Sequence, residues 1–502
     1  MASQQAPSAP LPPEDARAES KPLPTGWRRP AMIVVAAIGA GAMAAVAGPL
    51  LDVDVYWHTR LGTELLNGTS IYQAGHNWSF APVPDNWVST QWLVETLFAW
   101  LHMLWGWNGL IGFRVVTTGI AIATLAYAVF RGTRVWAAMA AFVLGVFAIV
   151  IFAQERPQQI SFILLPLVGL IWLRAANEGR VPRWWWMLLL AAVWANCHGL
   201  WVMLPVALGL ASIGRLMDHG RSDKAARSLG IATLAAVIGG CITPIGPLNL
   251  LIPFQFAGAT DQILEWDPTN MLAISSLGLT FAAALMFWAW ARGRTRPARG
   301  EILYGLLIVA LGASAGRNVT PAVLMIAPLL AWRLTVAFRG PKPRLAPPGL
   351  VAISGFAAVI VVVAGVGFAL VTMAASDPIP PGTQPTGLVS AIAARPGGAR
   401  VLNNYNISGL TLWYTRPGAS PSDGTVQVGV DGRADRYGGA YISRYLDMQR
   451  GRPGWEATLN ELKPNVALLS EKDPLIDLLK TRGWQVTGSE AHYVMLEPGR
   501  SS

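Results

Sequence analysis

Two aspartates stand two residues apart in the run Asp52-Val53-Asp54-Val55-Tyr56-Trp57-His58, directly after the first long apolar stretch of a 502-residue chain. Two carboxylates this close at a bilayer edge are costly unless something positive meets them. They could ligate a hard divalent cation such as Mg or Mn. One could instead serve as general base on a hydroxyl, or the pair could cap a helix beside the membrane. His58 joins them as a candidate catalytic residue; an interfacial histidine could equally bond a backbone carbonyl. The segment continues through His76-Asn77-Trp78-Ser79-Phe80, Trp87, Gln91-Trp92 and Glu95. Rings alternating with polar groups, Trp57 and Trp92 among them, suit the faces and hydroxyls of a sugar. Trp and Tyr also gather at this depth without a ligand.

Three further turns carry groups able to complete a site: Glu155-Arg156 with Gln158, Asn196 with His198, and Arg317-Asn318. An arginine at such a position needs an anion, either a carboxylate or a lipid phosphate. Glu155 is the obvious partner for Arg156. Arg317 has no adjacent carboxylate, so a phosphate or the Asp52/Asp54 pair is expected there. Near the C-terminus, Val428-Gly-Val-Asp431-Gly-Arg433-Ala-Asp435-Arg436-Tyr437 reads as a strand, an acid, and a glycine turn into a helix. That order puts Asp431 at the carboxyl edge of a sheet, where α/β proteins bind ligands. Asn404 ends a neighbouring strand in the same way. Plain turn chemistry, with an Asp–Arg pair holding the loop, would use the same residues. The two cysteines are too few for a disulfide framework or a zinc site. Walker-type and His-Glu-x-x-His motifs are absent from the sequence.

These residues need a scaffold, and composition supplies it. Hydrophobic residues make up 53% of the chain and charged ones 13%, about half the charged share of soluble domains. Runs at 31–50, 135–153, 271–291 and 349–375 are long enough to cross a bilayer, which takes about 20 residues as a helix. About eleven spans are expected between 31 and 375, with outer loops at 51–94 and 245–270. Residues 1–30, rich in Pro, Ala and Ser, read as a disordered cytoplasmic tail. Of 38 Lys and Arg, 21 fall in that tail or in alternate loops and 13 follow residue 376. Only Arg60, Arg114, Arg156 and Arg317 lie elsewhere. This asymmetry places the N-terminus inside, and an odd span count puts the C-terminal part outside. The net charge of +10 therefore reflects topology, and no basic cluster with interleaved aromatics suggests nucleic acid.

Beyond residue 376 the apolar stretches shrink. Val401–Asn403, Val426–Val430, Val466–Ser470 and Tyr493–Leu496 read as strands. Ile407–Tyr414, Gly439–Met448, Trp455–Leu462 and Pro474–Arg482 read as helices. The alternation predicts one small α/β domain over 376–502 with a mainly parallel sheet.

The Asp-x-Asp-x-aromatic-Trp-His opening, Trp92-Leu-x-Glu95, Arg156-Pro-Gln158, Trp194-Ala-Asn196-x-His198-Gly, Arg317-Asn318 and Asp431-Gly-Arg433-Ala-Asp435-x-Tyr437 together resemble a group of bacterial membrane proteins similar to the GT-C glycosyltransferases. The resemblance spans nearly all of the chain after residue 31. It implies a sugar donor carried on polyprenyl phosphate, a glycan or glycoprotein acceptor in the cell envelope, and a place in the bacterial cytoplasmic (inner) membrane. The role of base or metal ligand would fall on Asp52 or Asp54. Arg317, Arg156 and His198 would face the donor phosphate, and Asp261, Glu265 and Asp267 of the second loop the acceptor. Tyr56 stands where the group usually has a second Trp, and Gln91 where it often has Glu. Two other readings remain open. A transporter or flippase predicts charge in mid-membrane, whereas the polar groups here cluster at outer span ends. A non-catalytic assembly protein would depend on Asp431 and Arg433 rather than on the first-loop acids.

Overall fold

In lipid, backbone N–H and C=O groups must bond within their own segment, so apolar runs become helices. The computed structural model describes residues 28–252, 267–293, 295–338, 348–417 and 425–499, with the backbone alone over 28–29 and 348–356. The membrane part contains α1 (Arg28–Ala45), α2 (Val55–Leu66), α3 (Trp92–Trp105), α4 (Trp107–Phe130), α5 (Val135–Ile151), α6 (Gln158–Glu178) and α7 (Trp184–Ala195). It continues with α8 (Met203–His219), α9 (Lys224–Gly240), α10 (Leu277–Arg292), α11 (Arg299–Ser314), α12 (Val319–Ala337) and α13 (Pro348–Ala375).

Among the described residues, six helical segments are long and apolar enough to cross a membrane: 107–130, 158–178, 199–219, 274–292, 316–337 and 357–375. Three shorter apolar helices accompany them at 30–45, 135–151 and 184–195. The protein is a multi-pass membrane protein. Each of the eleven expected spans coincides with a helix, α1 and α4 to α13. Two of these, α9 and α11, fall outside the nine apolar segments. The expected N-terminal tail over 1–30 lies almost wholly outside the described residues, and so do Asp261 and Glu265.

Lipid tails are as apolar as leucine, so helices in a bilayer associate through close packing of small residues. Gly214 of α8 meets Gly300 of α11 so closely that a Cβ on either would lie 2.7 Å from the other's Cα. A Cβ on Gly169 of α6 would stand 2.3 Å from the Met325 carbonyl of α12.

The C-terminal part is a three-layer α/β unit. Strands β1 (Ala399–Asn403), β2 (Val426–Val428), β3 (Val466–Ser470), β4 (Trp484–Glu490) and β5 (Tyr493–Pro498) form one sheet in the order β2-β1-β3-β5-β4. Side chains alternate between its faces. Val401, Val466 and Leu468 face a cluster with Val389 and Ile392 of α14 (Thr386–Ala393) and Leu410 and Trp413 of α15 (Ser408–Tyr414), continuous with the membrane helices. Leu402, Ala467 and Leu469 face α16 (Ala434–Gln449), α17 (Trp455–Leu462) and α18 (Leu475–Thr481). All four expected strands form. The sheet is mixed rather than mainly parallel: β2-β1-β3 are parallel, but β5 and β4 run antiparallel. The strand missing from the sequence reading is β4, an edge strand of mostly exposed residues whose pairing shifts between Val486 and Gly488. An edge strand of this kind carries little hydrophobic alternation.

The segment expected as the first outer loop is not a free loop. Its residues 55–66 form α2, whose first eight residues, Val55 to Gly62, are all buried. Burial on every side leaves no one-sided apolar stripe to read. Further along, Ser79 forms a parallel bridge with Val428, with the bonds Val428 N–H to Trp78 O at 2.9 Å and Phe80 N–H to Val428 O at 3.2 Å. The loop thus extends the sheet past β2.

Candidate functional site

Arg156 joins the two first-loop acids. It leads into α6 and reaches back to the segment between α1 and α2, its Nε donating to Asp52 Oδ2 at 2.9 Å and its Nη2 to Asp54 Oδ2 at 3.1 Å. The neighbour expected to pair with it, Glu155, is used elsewhere. Glu155 is fully buried, forms an ion pair with Arg114 of α4 at 2.5 Å, and accepts the Leu51 and Asp52 N–H groups at 3.1 and 3.2 Å. Arg114 also donates to the carbonyls of Gly48 and Pro49. Glu155 and Arg114 therefore fix the turn that carries the acid pair. Burial, ahead of the opposing field of Arg114, raises the Glu155 carboxyl above its ordinary range.

The two acids differ. The Asp52 side chain is 1% exposed, whereas that of Asp54 is 20% exposed. Asp54 accepts the Trp57 indole N–H at 3.0 Å on its other oxygen. Burial and the charge of Asp52 raise Asp54 above the usual carboxylate range, against Arg156, His58 and Trp57. Asp54 is thus raised in basicity and is the more accessible member of the pair.

His58, one turn into α2, stacks on Trp57 with centroids 3.6 Å apart. Its Nδ1 lies 2.9 Å from Glu95 Oε1 of α3, and Glu95 Oε2 accepts from Ser89 Oγ at 2.6 Å. Glu95, expected among the substrate-binding groups, is fully buried and reaches the site only through His58.

His198, at the start of the 199–219 span, is held by Ser161 of α6: Ser161 Oγ lies 3.0 Å from His198 Nδ1 and accepts the Trp194 indole N–H at 2.9 Å. Burial first, then the nearby charges of Arg317, His58 and Arg156, push His198 down to about 3. The charges of Arg317, Arg156 and His58 thus all act on His198. Asn196 is a tie: it accepts from Trp92 Nε1 at 2.6 Å and donates to the Ala192 and Ile242 carbonyls at 2.8 Å. Asn318 bonds Ser314 within its own turn at 3.2 Å. Gln158 is half-buried, its amide without a hydrogen-bond partner among the described residues.

The α/β unit closes over this region. Asp431 and Arg433 are fully buried and form a two-pronged pair at 2.8 and 2.7 Å, and Tyr437 OH donates to Asp431 at 2.7 Å. Burial alone would raise Asp431, but Arg433 and these donors hold it below the usual carboxylate range. Arg433 also donates to the Gly75 carbonyl at 2.7 Å and lies over the rings of Trp78 and Trp87. Asp435 accepts Trp87 Nε1 at 2.8 Å, and Arg436 pairs with Asp85. Between Asp431 and Arg433, Gly432 lies against the acid pair: a Cβ there would stand 2.3 Å from Asp54 Oδ1 and 2.5 Å from Trp57 Nε1. The Asp-Gly-Arg turn is thus a clamp on the first outer loop. Asn404, by contrast, bonds Asp473 at 3.0 Å at the edge of β1.

A divalent cation on Asp52 and Asp54 would have to lie where the guanidinium now lies. Among the described residues no three His, Cys, Asp or Glu side chains gather as ligands. With the guanidinium bridging both acids, the donor set does not fit a resident cation. The sequence pointed to both acids, both histidines and the arginines. It missed Ser161, Ser89 and Gly432. The four-residue spacing of Trp194 and His198, which puts both on Ser161, was the available signal for the first.

No family model matches the chain, and no curated protein matches it. Solved structures share its layout at low identity. One is an arabinofuranosyltransferase, AftD, from Mycobacteria, 15% identical, with a TM-score of 0.49 over 94% of this chain and 40% of that one. Another is ArnT from Cupriavidus metallidurans bound to undecaprenyl phosphate, 13% identical, with a TM-score of 0.47 over 95% and 99%. A third is the Archaeoglobus fulgidus oligosaccharyltransferase tethered to an acceptor peptide, 10% identical, with a TM-score of 0.48 over 89% and 69%. Likenesses this distant carry no argument about chemistry, which rests on the residues themselves.

Proposed function

We propose that the protein is a membrane glycosyltransferase that moves a sugar from a polyprenyl-phosphate donor to a cell-envelope acceptor, either glycan or glycoprotein, on the outer face of the bacterial cytoplasmic membrane. On this reading all eleven helices α1 and α4 to α13 cross the bilayer, the N-terminus is inside and the α/β unit outside.

The observation that carries the reading is the meeting of Asp52, Asp54 and Arg156 beside His198 and Arg317, at span ends and under the α/β unit. Sugar transfer from a phosphate carrier asks for a carboxylate at the attacking hydroxyl and positive groups at the departing phosphate. Asp54, accessible and raised in basicity, meets the acceptor hydroxyl. Asp52 is sealed and holds Arg156 in place. Arg156, Arg317 and His198 face the phosphate as charge builds on it. Arg156 does the charge balancing that a cation would otherwise supply. The test is Asp54→Asn beside Asp52→Asn in a strain lacking the native copy, read by envelope glycan composition. Asp54→Asn should reproduce the deletion pattern. Wild-type glycans from Asp54→Asn, beside an altered deletion pattern, would reject the catalytic role.

A further inference from the structure

The two buried histidines of the site have opposite and fixed hydrogen-bonding states. Glu95 has one oxygen on Ser89 Oγ at 2.6 Å and the other on His58 Nδ1 at 2.9 Å. With Glu95 accepting, His58 Nδ1 carries a proton, and in the neutral ring Nε2 keeps its lone pair. His198 is the reverse. Its Nδ1 accepts the Leu200 backbone N–H at 3.3 Å, a group that can only donate. Ser161 Oγ, which accepts from Trp194 Nε1 at 2.9 Å, lies 3.0 Å from that acceptor nitrogen and so donates its own hydrogen to it. The His198 proton is therefore on Nε2. Neither Nε2 has a hydrogen-bond partner among the described residues.

The packing that produces the His58 state is close. Gly62, one turn beyond His58 in α2, lets α3 approach until a Cβ at position 62 would lie 1.9 Å from the Glu95 carbonyl oxygen. The buried Glu95 carboxylate is thereby held against the imidazole. A buried carboxylate on Nδ1 stabilises the imidazolium that forms when Nε2 takes a proton. Both side-chain oxygens of Asp54, by contrast, already accept from Trp57 and Arg156.

Resting on the glycosyl-transfer reading, we propose that His58 Nε2 receives the proton of the acceptor hydroxyl, with Glu95 as its positioning residue and Asp54 orienting the hydroxyl. The acceptor oxygen forms a bond to the sugar's anomeric carbon. The bond from that carbon to the phosphate oxygen breaks, and its electron pair leaves with the phosphate. The hydroxyl proton passes to Nε2, and the imidazolium later releases it to water. His198, held as the Nε2–H form, donates to the departing phosphate and takes no proton.

The test separates this assignment from the activity itself. In the full-length protein in lipid nanodiscs at pH 8, with ¹⁵N-labelled histidine, the His58 signal should report Nδ1–H and that of His198 Nε2–H. Glu95→Gln should disturb the first alone and Ser161→Ala the second alone. An Nε2–H signal for His58 would overturn the proposal. In the complemented deletion strain, His58→Asn keeps an amide N–H toward Glu95 but has no Nε2. It should fold as wild type yet lower glycan formation by about 100-fold or more. Normal glycans from His58→Asn would overturn the proton role. If the wild-type gene itself restored no glycan in that strain, the transferase reading would fail, and the proposal with it, whatever the histidine signals.

Discussion

Arg156→Met removes the guanidinium shared by Asp52 and Asp54, and the structure sets the size of the consequence. Asp52 would be left 1% exposed, with the Asp54 backbone N–H donating to it at 3.2 Å. Losing one partner of a buried pair costs about 3–5 kcal/mol. The arginine side chain is 21% exposed, which brings the Asp52 share down to about 2–3 kcal/mol. Asp54, at 20% exposure, adds about 0.5–1 kcal/mol. The variant should therefore lose about 3 kcal/mol, measured by reversible unfolding in mixed micelles. The sign of the double variant is the sharper test. Asp52→Asn alone should destabilise the protein. In the Arg156→Met background the same change should stabilise it, because it removes an unpaired buried charge, with a coupling of about 2 kcal/mol. If Asp52→Asn destabilised both backgrounds equally, the geometry joining α6 to the first loop would be wrong.

His198 gives a pH prediction. Its folded value of about 3 lies below the ordinary 6.5, so the unfolded chain binds the extra proton. Its contribution is complete above about pH 6.5 and is lost as pH falls toward 3, at about 1.4 kcal/mol per unit. Between pH 6.5 and 5, wild type should lose more stability than His198→Gln; equal slopes would contradict a buried neutral imidazole. Gly432→Ala would push a methyl into Asp54 and Trp57 and should cost about 1–3 kcal/mol, with a shift in tryptophan fluorescence and faster proteolysis of the first outer loop. An unchanged protease pattern would show that the α/β unit does not clamp that loop. Chelation of divalent cations should leave glycan formation in isolated membranes intact; loss of product restored by Mg or Mn would return the acid pair to metal binding.

The four arginines that stood apart from the positive-inside pattern were the most informative letters in the sequence. Arg114 and Arg156 build the acid-pair turn, Arg317 acts on His198, and Arg60 donates to the Leu412 carbonyl of α15 at 2.7 Å. An arginine placed against topology needs an anion or carbonyls, and that requirement is local enough to read. The strands of the α/β unit were legible because β3 opens on the apolar run Val466–Leu469 and β1 carries Val401-Leu402 at its centre. The partner of Arg156 was misread because the nearest carboxylate in sequence, Glu155, is claimed by Arg114 across 41 positions. Ser161 is 37 residues from His198, and Gly432 is 378 from Asp54. No local pattern announces contacts of that reach; they exist only once the loop has been added to the sheet edge at Val428.

Under the proposed function, the cluster beneath the α/β unit transfers sugar from a lipid phosphate. Mass spectrometry of lipid-linked sugars and envelope glycans tests it most directly, comparing wild type, the deletion and Asp54→Asn in one strain. The account predicts that one polyprenyl-phosphate sugar accumulates, and one glycan residue disappears, in both the deletion and Asp54→Asn. Unchanged lipid-linked sugars and glycans in the deletion, or wild-type pools in Asp54→Asn, would contradict it.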